Sequence, residues 1–128
     1  MDDWIPFEEG EYLTEKAFLF SSDHRAVTLQ DAVVEVFKDP SGAPRLRGRG
    51  RIQNILMVEL LEEDERLDIV LDFGAEFKFR LKQPKIQGGK VFAADVRSSM
   101  LFLPTAPWER LSESAFADLV ASLRFLSN

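Results

Sequence analysis

The stretch Arg66–Pro84, RLDIVLDFGAEFKFRLKQP, constrains the fold more than any other part of the chain. Ile69, Leu71 and Phe73 alternate with Asp68, Val70 and Asp72. Beyond Gly74-Ala75-Glu76, Phe77, Phe79 and Leu81 alternate with Lys78, Arg80 and Lys82. Two runs of period two around a glycine-containing turn specify a β-hairpin. A slip of one residue would carry the whole apolar set to the wrong face, so the register is fixed by parity. It sets Phe73 opposite Phe77, Asp72 opposite Lys78 and Asp68 opposite Lys82. Each opposite-charge pair contributes about 0.2–1 kcal/mol. One face of this hairpin is apolar and the other is a neutralised charge ladder.

The rest of the chain reads outward from this hairpin. Residues 1–10 form a leader, with Trp4 and Phe7 placed to tuck onto the domain edge. Glu11–Phe20 reads as one strand, and apolar residues on both parities from Ala17 to Phe20 predict burial on both sides, or a bend. Ser21–Arg25 is a turn whose small polar residues favour local side-chain hydrogen bonds. Strands at Ala26–Leu29 and Ala32–Phe37 are interrupted by Gln30-Asp31. Lys38–Pro44, with two prolines and a glycine, is a loop. Arg45–Arg51 and Ile52–Leu61 continue as strand, and Glu62–Glu65 is an acidic turn. Lys85–Lys90 reads as a glycine loop, Val91–Val96 and Met100–Leu103 as strands, with Arg97-Ser98-Ser99 between them.

From Trp108 the period changes. Trp108, Leu111, Ala115, Leu119, Leu123 and Leu126 recur at three- and four-residue steps, which predicts an amphipathic helix over 107–128. Pro107 suits a first helical position, and Ser112 suits an N-cap after a short turn.

At 128 residues the chain is expected to be a single domain, 1–128, with a β-rich body over 11–103 and one C-terminal helix. The expected class is mainly β (α+β): six to eight antiparallel strands closing into a small barrel or curled sheet capped by the helix. The alternative is a flat sheet with the helix laid across one face.

The order of elements resembles the pleckstrin-homology (PH) superfold. Gly10–Phe20 followed by Ala26–Phe37 resembles the opening of bacterial PH-like and GRAM-like domains, through Leu13-Thr14, Phe18, Phe20, Leu29 and Asp31. The resemblance implies a PH-like barrel closed by the C-terminal helix. Lipid-binding members carry bases around the first hairpin. Here Lys16 and Arg25 face Glu11, Glu15 and Asp23, a departure that argues against phosphoinositide recognition.

Charge and composition narrow the function. A formal net charge of −6 and a pI of about 4.8 oppose nucleic-acid binding. The absence of cysteine removes disulfides, thiolate metal sites and a cysteine nucleophile, and fits a cytoplasmic protein. The first 15 residues hold six acids and no base, unlike a signal peptide. Ile55–Leu61 is far shorter than the roughly 20 apolar residues of a membrane span, so no membrane insertion is expected. The single histidine, His24, reads as a solvated turn residue, and no metal, cofactor or catalytic residue is assigned.

Arg45, Arg47, Arg49 and Arg51 are the sharpest feature. At two-residue spacing in an extended strand they share one face. Gly48 and Gly50 on the other face suggest a bulge or a close backbone approach. The Arg-x-x-x-Arg spacings echo the arginine motif of PilZ barrels, but the second motif of that family is missing. The bland alternative is a solvated edge strand neutralised by nearby acids. Lys85 and Lys90 are the further candidate contacts, beside Lys78, Arg80 and Lys82. The expected function is a non-catalytic binding or adaptor domain docking a protein partner through this basic face. The alternatives are an anionic-ligand or membrane-surface binder using the same arginines, and a small-molecule-binding barrel or enzyme with an apolar pocket.

Overall fold

The chain passes from one sheet to the other five times along the order of its strands, so the β-rich body forms two layers. The computed structural model describes residues 8–53, 66–74, 77–88, 97–104 and 108–126. Among them are eleven strands and one helix. One sheet has five strands in the order β1 (Gly10–Leu13), β4 (Gln30–Lys38), β5 (Pro44–Gln53), β9 (Arg97–Leu103), β8 (Lys85–Gly88). The other has six, in the order β10 (Glu109–Leu111), β7 (Lys78–Leu81), β6 (Leu67–Asp72), β2 (Lys16–Ser21), β3 (Arg25–Thr28), β11 (Arg124–Phe125). The β11–β3 pair is parallel. The helix α1 spans Glu113–Ser122.

The expected single strand Glu11–Phe20 is therefore two strands in different sheets. At the corner, Thr14 donates from its amide (3.0 Å) and its hydroxyl (2.9 Å) to the Ala32 carbonyl of the five-stranded sheet. The next amide, Glu15, donates to the Asp72 carbonyl of the six-stranded sheet at 2.7 Å. A second corner falls at Leu29, between β3 and β4. Asp31 there has a φ of 52°, and the β4–β5 register shifts between Gln30 and Val33. This is a β-bulge at the position where the alternation breaks.

The inner faces of the sheets share one core. It includes Val34, Val36, Leu46, Ile52, Met100 and Phe102 from one sheet and Leu19, Val27, Ile69, Leu71, Phe79 and Leu81 from the other. A second core lies on the outer face of the six-stranded sheet, where Phe18, Phe20, Ala26 and Val70 meet Phe116 and Leu123 of the C-terminal segment. Burial on both sides from Ala17 to Phe20 thus reflects two different partners: the opposite sheet and the helix.

The molecule is mainly β with one C-terminal helix. Among the described residues the two sheets are not joined into a closed barrel. The helix covers a sheet face and does not plug a barrel end. It is also shorter than the expected 107–128. Ser112 is the N-cap and accepts from the Ala115 amide at 3.1 Å, and Leu123 returns to extended backbone. Trp108 and Leu126, counted in the helical stripe, pack on the inter-sheet core.

The hairpin register is confirmed from Asp72↔Lys78 to Ile69↔Leu81, and the Phe73 amide donates to the Phe77 carbonyl at 2.9 Å. Asp68 does not pair with Lys82. The ladder ends at Leu81, so Asp68 turns to Arg80 (2.7 Å) and Lys82 to Glu109 of β10 (3.2 Å). The charged face of the hairpin is also not simply solvated. Val70 is buried there, and the Asp72 and Lys78 side chains, 3.5 Å apart, are only 9% and 11% exposed. Lys85–Gly88 and Arg97–Ser99, read as loop and link, are strand. The expected strands over 54–61 and 91–96, the acidic turn, and the leader through Phe7 lie outside the described residues.

Candidate functional site

The arginine row forms as its spacing requires. Arg45, Arg47, Arg49 and Arg51 all project from the outer face of β5, while Leu46 and Ile52 point into the core. The side chains are 50–64% exposed. β5 is not an edge strand. It is the middle strand of its sheet, hydrogen-bonded to β4 and β9. The edge-protecting role expected for the arginines therefore does not apply.

Each arginine faces a carboxylate from a different place in the chain. Arg45 Nε donates to Asp39 in the preceding turn (2.9 Å), and Arg47 Nε to Glu35 directly across on β4 (2.7 Å). Arg49 Nη2 reaches over β4 to Glu11 on β1 (3.1 Å), and Arg51 lies 3.6 Å from Asp31 at the bulge. Arg47 also stacks over Phe37, 4.7 Å from the ring centroid. Exposed pairs of this kind contribute only about 0.2–1 kcal/mol each. They hold the guanidiniums in place without committing them to one carboxylate. Asp39 is the most organised of the four acids. The Ser41 hydroxyl first, then the Arg45 guanidinium, hold its carboxyl well below the usual carboxylate range.

The same face has an apolar row. Strand pairing aligns Leu13, Val33, Arg49 and Leu101 across four strands. Leu13 is 75% and Leu101 44% exposed. Beside the bulge, Asp31, Val33, Arg49, Gly50 and Arg51 line a notch of about 290 Å³. Lys85 lies on this sheet too. Its partner Leu103 falls opposite Arg47 when the β5–β9 register is continued by one residue, so Lys85 and Arg47 fall in one row, two strands apart. Lys90 lies outside the described residues. Lys78, Arg80 and Lys82 belong to the other sheet and are not part of this surface.

Two further sites draw on residues distant in sequence. A largely apolar cavity of about 590 Å³ opens between α1 and the corner of the six-stranded sheet, lined by Lys16, Ala17, Phe18, Leu29, Val120 and Phe125 among others. A smaller polar cavity of about 200 Å³ lies at the β2–β3 turn, where His24 meets Arg66, Asp68 and Arg80. His24 is more than a solvated turn residue. Its φ is 66°, and its Nδ1 is 2.8 Å from Ser122 Oγ at the end of α1. Its carbonyl accepts from the Arg124 amide at 2.8 Å, tying the C-terminal segment to the turn.

Among the described residues, no three His, Cys, Asp or Glu side chains are placed to hold a metal ion, and no helix is long and apolar enough to cross a membrane. No protein-family model, no curated protein and no solved structure matches the chain.

Proposed function

We propose that the protein is a non-catalytic binding domain that docks a protein partner on the outer face of the five-stranded sheet. The observation that carries this reading is the layout of that face. Four half-exposed guanidiniums are pre-positioned in one row, beside exposed Leu13 and Leu101 and a notch at the bulge. No described element covers it, whereas α1 covers the outer face of the other sheet. Among the described residues this face brings Arg45, Arg47, Arg49, Arg51 and Lys85 together with Glu11, Asp31, Glu35 and Asp39, in a chain of net charge −6. Interfaces favour arginine and apolar anchors at their centre. Holding the guanidiniums before docking reduces the ordering cost of association. The partner that fits offers carboxylates around apolar side chains, and the polarity of the face orients its approach.

Kinship with PH-like and GRAM-like domains belongs to the same proposal. Its support is the order of elements, antiparallel strands followed by a C-terminal helix; the open sheets set this chain apart from a closed barrel. A cytoplasmic setting is favoured by the cysteine-free composition. A second reading, a small-molecule binder, draws on the 590 Å³ cavity beside Val120 and Phe125.

The test is affinity capture with the wild type, the Arg45/Arg47/Arg49/Arg51→Glu variant, Leu13→Ser/Leu101→Ser, and Asp118→Lys on the exposed side of α1. The proposal expects one partner retained by wild type and Asp118→Lys and lost by both sheet-face variants. Binding instead to anionic vesicles, abolished at physiological salt and by the arginine variant, would replace the protein partner with a membrane surface. Identical behaviour of all four proteins would refute the assignment of this face.

A further inference from the structure

At its first residue, strand β2 outruns its neighbour β3. The β2–β3 ladder continues to Leu29, whose amide donates to the Ala17 carbonyl at 2.9 Å, and the chain then leaves for the other sheet. Lys16, which opens β2, therefore has no β3 residue beside it. The apolar cavity of about 590 Å³ lies there, beside Val120 of α1 and Phe125 of β11. We propose, resting on the small-molecule reading of this cavity, that its ligand is a small amphipathic carboxylate, with the apolar body on Phe18, Val120 and Phe125 and the headgroup on Lys16.

Parity makes the wall apolar. Lys16, Phe18 and Phe20 share the outer face of β2, and Phe18 lies opposite Thr28 on β3. The Phe125 ring packs edge-on against Phe18, with centroids 5.1 Å apart, and stays exposed on its other side. Val120, in the last turn of α1, is half-buried beside them. An apolar body laid here covers side chains that the fold itself leaves in water, which is the favourable term in its binding.

Lys16 decides the headgroup. It is the one cation among the described residues that line the cavity. Neither its ammonium nor the Thr28 hydroxyl has a partner among the described residues. Asp72, opposite Lys16 across the β2–β6 ladder, is held instead by Lys78 (3.5 Å) and the Gly74 amide (2.8 Å). The two acids at the rim are also turned elsewhere. Asp31 lies 3.6 Å from Arg51, and Glu15 sits over Gly74, its Oε1 3.2 Å from where a Cβ would stand. One ammonium and one hydroxyl match the two oxygens of a carboxylate. A phosphate monoester, with nearly two charges at neutral pH, would meet Glu15 and Asp31 with a single cation to offset it. The volume falls within the roughly 300–1,000 Å³ of small-molecule pockets, so the body has room for a chain of several methylenes.

The test is a calorimetric titration of the whole chain at pH 7 with hexanoate, octanoate and decanoate, and with octanol and octylamine as neutral and cationic arms. Saturable binding at one site is expected, tightening by up to about fourfold per methylene, with octanoate tighter than octanol and octylamine weakest. Lys16→Gln, an exposed change, should weaken octanoate about fivefold, the upper end for an exposed ion pair, and leave octanol unchanged. Phe125→Ser should weaken octanoate and octanol alike. Arg47→Gln/Arg49→Gln, on the other sheet, should weaken neither. Octanol equal to octanoate, or octanoate unaffected by Lys16→Gln, would overturn the carboxylate and leave the small-molecule reading standing. No saturation by any of these compounds would overturn both. Loss of octanoate binding in the arginine variant alone would move the ligand to the docking face, and would overturn the proposal as well.

Discussion

Gly48→Ala probes the packing beneath the arginine row. Gly48 lies directly opposite Phe102 in the β5–β9 ladder. Phe102 is fully buried, and its ring lies over the glycine. A Cβ at position 48 would collide with three ring atoms, Cε1 at 2.6 Å being the farthest of them. Ordinary carbon contacts lie at about 3.5–4.0 Å, and a ring enclosed on all sides cannot withdraw that far without moving its neighbours. Overpacking of this kind costs about 1–3 kcal/mol. Replacing a strand glycine by alanine returns about 0.5–1 kcal/mol through the unfolded chain. The upper part of the overpacking range applies here, so the net loss is about 2 kcal/mol, or a fall in Tm of roughly 6–10 °C for a chain of this size. Gly50 provides the control. Its nearest neighbour would be Leu29 Cδ2 at 3.5 Å, an ordinary contact, so Gly50→Ala should be neutral or slightly stabilising. Urea unfolding of both variants and of Gly48→Ala/Phe102→Leu gives the comparison. The double variant should recover part of the loss relative to Phe102→Leu alone. Equal stability of Gly48→Ala and Gly50→Ala would refute the packing argument.

Other outcomes follow from the same contacts. Lys78→Met strands the nearly buried Asp72 carboxylate, with the Gly74 amide (2.8 Å) the donor left to it among the described residues. It should cost about 3 kcal/mol in urea unfolding, much of it recovered by adding Asp72→Asn. The full exchange Asp72→Lys/Lys78→Asp rebuilds the ion pair but loses the Gly74 bond, so its recovery should be incomplete. Phe116→Ala removes the buried anchor of α1 and should cost about 3–4 kcal/mol, with hydrogen exchange accelerating in the helix before the sheets. Asp39 has its folded pKa lowered, so its stabilisation is complete above about pH 4 and declines as pH falls below that. The stability gap between wild type and Asp39→Asn should therefore narrow in acid, and a gap that stays constant from pH 6 to pH 2 would contradict the Asp39 clamp.

What the sequence made legible was what parity controls. The register from Asp72↔Lys78 to Ile69↔Leu81 follows from alternation alone, as does the common face of the four arginines. The Asp68–Lys82 pair was misread because extrapolating the ladder ignored its end. Gln83 takes a φ of 47°, its amide docks on Asp68, and β10 supplies Lys82 with Glu109. β10 is three residues, Glu109–Leu111, too short to show any period. The helix was overextended because Trp108 and Leu126 continue a three-to-four spacing while serving the inter-sheet core. The corner at Thr14-Glu15 appears in the sequence only as mixed parity, because its cause is two distant carbonyls, Ala32 and Asp72. The acids that neutralise the arginines come from β1, β4 and two bends, and the lining of the polar cavity beside His24 from three separate segments. Neither grouping has a local spacing from which to read it.

The most direct measurement of the docking claim exchanges charges within the arginine face. The variant Glu11→Arg/Glu35→Arg/Arg47→Glu/Arg49→Glu keeps the net charge and the salt-bridge partners while reversing the pattern a partner would meet. If these pairs serve only the fold, the exchange changes nothing. The docking account predicts a urea midpoint within about 0.5 kcal/mol of wild type, as expected for surface changes, together with loss of the captured partner. Retention of that partner at wild-type affinity by a fully folded variant would contradict it.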